Sequence, residues 1–208
     1  FTEKGRALGL GQCGLHTLFQ SKMIAFESLE AQMLSQQIAK HIQEESDRAS
    51  REMAVILGEP EWCRGYGYRN THRRAIAPTK STALLMGGIS EGINPDPAMT
   101  YTQKTAAGDV ERINPTFLKL MKERGHNNKA TLKSITDKFG SVQHLDWLTD
   151  EEKAVFKTAF EIDQFVILRM TAARQKFVDQ GQSMNLFFSA EEKPEHIGRV
   201  MTAAAKNE

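Results

Sequence analysis

Ala75-Ile76-Ala77-Pro78-Thr79-Lys80-Ser81-Thr82-Ala83-Leu84-Leu85 is the stretch on which the fold reading of this chain turns. A short β-type apolar run stops at Pro78, which has no N–H to give to a sheet. Thr79, Ser81 and Thr82 follow beside Lys80, and the chain then turns apolar again, as a short buried helix does. That order assembles an anion site, because free backbone N–H groups and hydroxyls gather where a helix begins and the helix dipole favours negative charge there. The competing reading is plain helix capping, for which one hydroxyl suffices. Three hydroxyls and a lysine directly after a strand exceed that need. Ligands of α/β folds bind at the carboxyl ends of strands, so the stretch predicts a phosphate loop.

Upstream, Ala7 to Leu15 reads as a strand or a close-packed turn. Its Gly9, Gly11 and Gly14 match a G-x-G-x-x-G spacing, but without the β-α-β context they read as packing glycines. From about Phe26 to Leu57 the periodicity of Leu34, Ile38, Ile42, Ala49, Met53 and Ile56 predicts a long helix with one apolar face, ended by Gly58 and Pro60. Lys40, Glu44, Asp47, Arg48 and Arg51 fall mostly off that stripe. Glu59 to Arg74 reads as a solvated approach loop, since the basic run at its end does not continue into a nucleic-acid stripe.

Downstream, Gly87 to Pro97 is dense in turn formers. Met99 to Leu148 reads as a helical insertion of short elements, with Asn114 capping a helix that carries Pro115 at its first position and ends at Gly125. Thr149 and Glu152 form a capping box. A helix is predicted from about Asp163 to Val178, with Phe165, Leu168, Ala172 and Gln175 along one side. Ser183 to Phe188 is a short strand, and Pro194 opens a helix that runs on at Glu208. Alternating strands and helices predict α/β architecture with parallel strands, and three strands are too few to close a barrel.

Composition narrows the function. With 27 basic and 26 acidic side chains, the net charge of +1 gives no electrostatic case for nucleic acid or an anionic membrane. No apolar run approaches the roughly 20 residues of a membrane span, and no signal segment opens the chain. Cys13 and Cys63 lack metal-ligand spacing and read as free thiols of a cytoplasmic protein. The six histidines form no metal-spaced cluster. The carboxylates paired in sequence, Glu27 with Glu30, Glu44 with Glu45 and Glu151 with Glu152, read as helical surface charge or caps. No catalytic or metal-binding residue is assigned. An opening Phe1 predicts a piece of a longer polypeptide, processed or split.

Three stretches together resemble the large, catalytic subunit of class I ribonucleotide reductase. They are Arg6 to Leu15; Ala77-Pro78-Thr79-Lys80-Ser81-Thr82 with Gly88 to Pro95; and Phe177 to Gln180 with Gln182 to Phe187. Their order and spacing agree with the C-terminal half of that subunit's catalytic barrel, over nearly all of residues 1–208. The resemblance implies an α/β fold, helix-rich, forming the second half of a ten-stranded α/β barrel, with the insertion at about 99–148. It implies reduction of ribonucleotides to deoxyribonucleotides, with Pro78, Thr79, Lys80, Ser81 and Thr82 as the substrate's diphosphate loop, in which the backbone N–H groups and the hydroxyls of Thr79, Ser81 and Thr82 hold phosphate oxygens and Lys80 adds its N–H and charge. Where the family usually has another hydroxyl, this chain has Ala83.

By the same resemblance, the radical cysteine, its partner asparagine and glutamate, and the disulfide-forming pair precede Phe1, while the radical-passing tyrosines follow Glu208. Cys13 and Cys63 match none of these. No cofactor is expected in this chain. The radical would come from a metal-containing small subunit, and allosteric nucleotides would bind elsewhere. The implied partners are the remaining large-subunit polypeptide, the small subunit, a ribonucleotide substrate and a thioredoxin- or glutaredoxin-type reductant. The chain alone is expected to lack reductase activity and to expose an unpaired barrel edge. A non-catalytic phosphate-binding or scaffold module is the alternative from another class.

Overall fold

The computed structural model describes residues 1–105 and 108–206. Three short extended segments, at residues 8–10, 72–76 and 181–183, lie side by side in parallel. Leu10 bridges Arg74, and Ile76 bridges Gln182. The ladder bonds are few: Leu8 N to His72 O at 2.8 Å, Leu10 N to Arg73 O at 2.9 Å, Ala75 N to Leu10 O at 3.1 Å, Ile76 N to Gly181 O at 3.1 Å and Ser183 N to Ile76 O at 2.8 Å. Gly11 is required by this close approach, because a Cβ there would stand 2.4 Å from the Ala75 carbonyl oxygen. The third segment thus begins two residues before the predicted strand, and Leu186 to Phe188 carry no strand pairing.

Helix α1 is Thr2–Gly5, and α2, Leu15–Ser21, starts within the glycine-rich run that sequence had placed in a strand or turn. Ser28 caps α3, Leu29–Leu57, by accepting the Ala31 N–H. The expected stripe of α3 is shifted. The buried positions are the small residues Ala31, Ser35, Ala39, Ser50 and Ala54, while Ala49 is exposed and Ile56 is 78% exposed. Small side chains let α3 lie close against α8, Gln164–Gln175. Arg174 of α8 fills the seam, donating to Ser35 Oγ at 2.8 Å and to Gln182 Oε1 at 3.2 Å. Burial brings its guanidinium down to about 10. The predicted face of α8 is corrected likewise: Gln164, Ile167, Leu168, Met170 and Arg174 are the buried ones.

The approach loop is not solvated at its end. Asn70 and Arg74 are buried, and Asp47 of α3 turns inward to pair with both Arg73 and Arg74. A 3-10 turn at Glu61–Cys63 and helix α4, Lys80–Leu85, flank the second extended segment.

The stretch from Thr100 to Asp137 contains a hairpin that sequence did not predict: β1, Thr100–Thr105, pairs antiparallel with β2, Gly108–Ile113. Helices α5, Pro115–Glu123, and α6, Lys129–Asp137, follow. Asn114 caps α5 through the Phe117 N–H, and Asn128 caps α6 through Thr131. The reciprocal capping box of Thr149 and Glu152 opens α7, Asp150–Val155. Helix α9 is Pro194–Lys206, and its expected continuation to Glu208 lies outside the described residues.

Among the described residues, two apolar clusters organise the fold. Leu15, Phe19, Phe26, Ile76, Ile93, Ile167 and Met170 pack beneath the parallel segments. Met99, Phe117, Met121, Ile135, Val142, Leu148 and Phe156 form the second cluster, beside the hairpin.

Candidate functional site

The loop at Pro78 sits at the carboxyl end of the second parallel segment. Thr79 is left-handed, with φ of 57°, a conformation uncommon for a β-branched residue. Its hydroxyl is turned inward, donating to Cys13 Sγ at 3.1 Å and accepting the Gly92 N–H at 2.9 Å. Gly92 fits there because a Cβ would meet the Ala77 carbonyl oxygen at 2.9 Å. The first turn of α4 closes with Ala83 N on Thr79 O at 2.8 Å, so the N–H groups of Lys80, Ser81 and Thr82 precede the helical ladder. Lys80, Ser81 and Thr82 are exposed with Pro78, whereas Ala83 is 2% exposed.

Beside the loop opens a cleft of about 890 Å³. Lys80, Ala83 and Leu84 form one wall; Tyr101, Glu111 and Arg112 of the hairpin form another. Asn94, Asp96, Asn185, Phe160 and Phe187 complete it. Asn185 and Phe187 follow the third parallel segment, so the cleft lies at the carboxyl ends of the segments, where α/β folds place ligands. Asn94 ties the walls together by accepting the Asn185 N–H at 2.9 Å, while its own buried Nδ2 has no hydrogen-bond partner among the described residues.

Asp96 is the group that sequence missed, having been read as part of a turn. Its carboxylate accepts Asn114 Nδ2 at 2.8 Å, and the same amide nitrogen donates to Gln20 Oε1. Its backbone N–H donates to His16 Nδ1 at 2.9 Å, which makes that ring nitrogen an acceptor and keeps the imidazole neutral. Burial pushes Asp96 up to about 7, the Asn114 bond opposing and Glu91 adding to the rise. Burial pushes His16 down to about 3. The signal in sequence was slight: His16 and Asp96 are 80 residues apart.

These two groups give stability opposite pH slopes. Asp96 keeps its proton in the folded chain where the unfolded chain has lost it, so its contribution falls as pH rises from 3.8 to about 7. His16 stays neutral where the unfolded chain protonates, so its contribution is lost as pH falls from 6.5 to about 3. Each slope has a limit of about 1.4 kcal/mol per pH unit. Asp96→Asn is therefore expected to gain stability over wild type as pH rises between about 4 and 7. Urea unfolding at several pH values checks this, and parallel profiles for the two proteins would contradict it.

Of the other residues considered from sequence, Cys63 is buried and burial raises its thiol pKa, which suits an unreactive side chain. Glu27 pairs with Lys157 and accepts the Asp163 N–H at 2.8 Å. Glu45 pairs with Arg48, and Glu152 serves the capping box and pairs with Arg124. Among the described residues, no three His, Cys, Asp or Glu side chains gather as a metal site, and no helix is long and apolar enough to cross a membrane.

The model of the family described as "Ribonucleotide reductase, barrel domain" matches residues 2–65 and 60–208. The ribonucleoside-diphosphate reductase large subunit of Invertebrate iridescent virus 3 is 38% identical over 198 residues, covering 94% of this chain and 31% of that protein. The large subunit of Danio rerio is 30% identical over 216 residues, covering 88% and 27%. Among solved structures, the class Id ribonucleotide reductase alpha subunit of Actinobacillus ureae superposes with a TM-score of 0.91 at 39% identity, over 100% of this chain and 38% of that one. The chain spans about a third of the length of these relatives. The helix-rich part of an α/β barrel expected from sequence is the fold observed, with helices dominating its short parallel segments. This chain belongs to the ribonucleotide reductase barrel-domain family.

Proposed function

We propose that this chain is the part of a ribonucleoside-diphosphate reductase large subunit that holds the substrate's diphosphate. The observation that carries the reading is the loop after the second parallel segment. There, left-handed Thr79 sets the turn, and the N–H groups of the exposed residues Lys80, Ser81 and Thr82 stand ahead of the helical ladder. Phosphate oxygens would accept these N–H groups and the hydroxyls of Ser81 and Thr82, with Lys80 adding charge and Pro78 fixing the approach. The Thr79 hydroxyl, expected from sequence to hold phosphate, is instead engaged by Cys13 and Gly92 and shapes the loop from beneath. Cys13 and Cys63 take no part in the redox chemistry. That chemistry belongs to the remaining large-subunit polypeptide, a radical-generating, metal-containing small subunit and a thioredoxin- or glutaredoxin-type reductant, in the cytoplasm.

Reconstitution tests the reading. Reductase activity is expected when the chain is combined with the rest of the large subunit and the small subunit, and none from the chain alone. Activity without this chain, or a chain that binds no nucleoside diphosphate in the assembly, would refute it. Within the assembled enzyme, Thr82→Ala is expected to raise KM about tenfold with kcat nearly unchanged, the signature of a lost ground-state hydrogen bond to a charged group. A collapse of kcat at constant KM would remove Thr82 from the phosphate contacts.

A further inference from the structure

We propose that Cys13 is a positioning residue of the phosphate loop, acting through Thr79. The inference rests on the loop reading above. Four groups from three segments form one directed chain: the Gly92 N–H donates to Thr79 Oγ1 (2.9 Å), the Thr79 hydroxyl to Cys13 Sγ (3.1 Å), and the Cys13 thiol to the Ser90 carbonyl oxygen (3.6 Å). The acceptor end is itself fixed, since Ser90 N donates to Thr17 Oγ1 at 2.8 Å and Thr17 N to Ser90 Oγ at 3.1 Å. Sulfur accepts the hydroxyl's hydrogen bond and thereby directs the oxygen's lone pairs toward Gly92.

A threonine at positive φ persists where its surroundings over-determine it, and this relay supplies that constraint. Because Thr79 O also accepts the Ala83 N–H, turning Thr79 would tilt the first turn of α4. The N–H groups of Lys80, Ser81 and Thr82 would tilt with it. Cys13 touches neither phosphate nor reacting atoms; it sets the direction in which the loop faces.

The experiment compares wild type, Cys13→Ala and Cys13→Ser, each as the full chain, by two readouts. Amide hydrogen exchange at Gly92 reads the relay without any ligand. Titration with inorganic pyrophosphate, followed by phosphorus NMR, reads the loop. Cys13→Ala is expected to speed Gly92 exchange and weaken pyrophosphate binding about tenfold. Cys13→Ser, which can still accept and donate, is expected to restore most of both. Unchanged exchange, or faster exchange with unchanged binding, would overturn the role of Cys13. Wild type that binds no pyrophosphate would instead overturn the phosphate-loop reading, and the Cys13 inference with it. In the assembled enzyme the Cys13→Ala effect is expected in KM and not in kcat, a split that general loosening of the fold would not produce.

Discussion

Asp179→Ala is expected to lower the unfolding free energy by about 3 kcal/mol, the lower end of the range for removing one partner of a buried ion pair. The carboxylate of Asp179 accepts the backbone N–H groups of Arg73 and Arg74, at 3.1 and 2.8 Å, which orients the second parallel segment. It also faces Nη2 of both arginines, at 3.4 and 3.3 Å. Asp47 of α3 is the second carboxylate of the cluster, with Arg73 Nε at 2.7 Å. Two arginines and two acids balance in a place where the Arg74 side chain is 5% exposed. Taking one acid away leaves an uncompensated cation there and two amide donors without acceptors. The remaining exposure of Asp179, 21%, is why the lower end is expected. Asp179→Asn keeps an acceptor oxygen and should lose less. Urea unfolding measures both, and a loss below about 1 kcal/mol for the alanine variant would mean that water screens the cluster.

The second large effect is expected from Phe117→Ala, at about 3–5 kcal/mol, the scale of emptying a buried aromatic position. Phe117 is fully buried at the centre of the second cluster, 5.1 Å from the Phe156 ring in an edge contact and 6.1 Å from Trp147. Asn114, one turn earlier, donates its amide to Asp96, so this cluster also supports one wall of the cleft. Trp147 fluorescence during urea unfolding reads the change at its source. A loss below about 2 kcal/mol would show that the surrounding methionines, Met99 and Met121, collapse into the space.

How much of this was legible in the sequence depended on range. The capping box at Thr149 and the Asn114-Pro115 start were readable because each is closed within three residues. The strand-turn-helix at Pro78 was readable for the same reason, but α4 is not the buried helix expected: only Ala83 is buried, and Leu85 is 89% exposed. The third parallel segment was read two residues late because its pairing consists of a single bridge, too short to impose alternation. Helix α2 was hidden by the glycines before it, and the hairpin by threonines that suit a loop as well as a strand. The apolar periodicity of α3 misplaced its buried face because close helix packing there selects alanine and serine over leucine and isoleucine. Arg73, Arg74 and Asp47 read as solvated charges since no local pattern marks a buried, balanced ion cluster.

By itself the sequence determined the α/β character, the family resemblance and the segment-turn-helix at Pro78, all of which rest on local patterns and on their order along the chain. Tertiary structure alone decided which hydroxyl faces inward, which thiol receives it, and why Asp96 holds a proton near neutrality. Thr79 meets Cys13 across 66 residues, and Asp96 meets His16 across 80. Hydrogen-bond direction and desolvation are properties of what the fold brings together, and no local spacing encodes them.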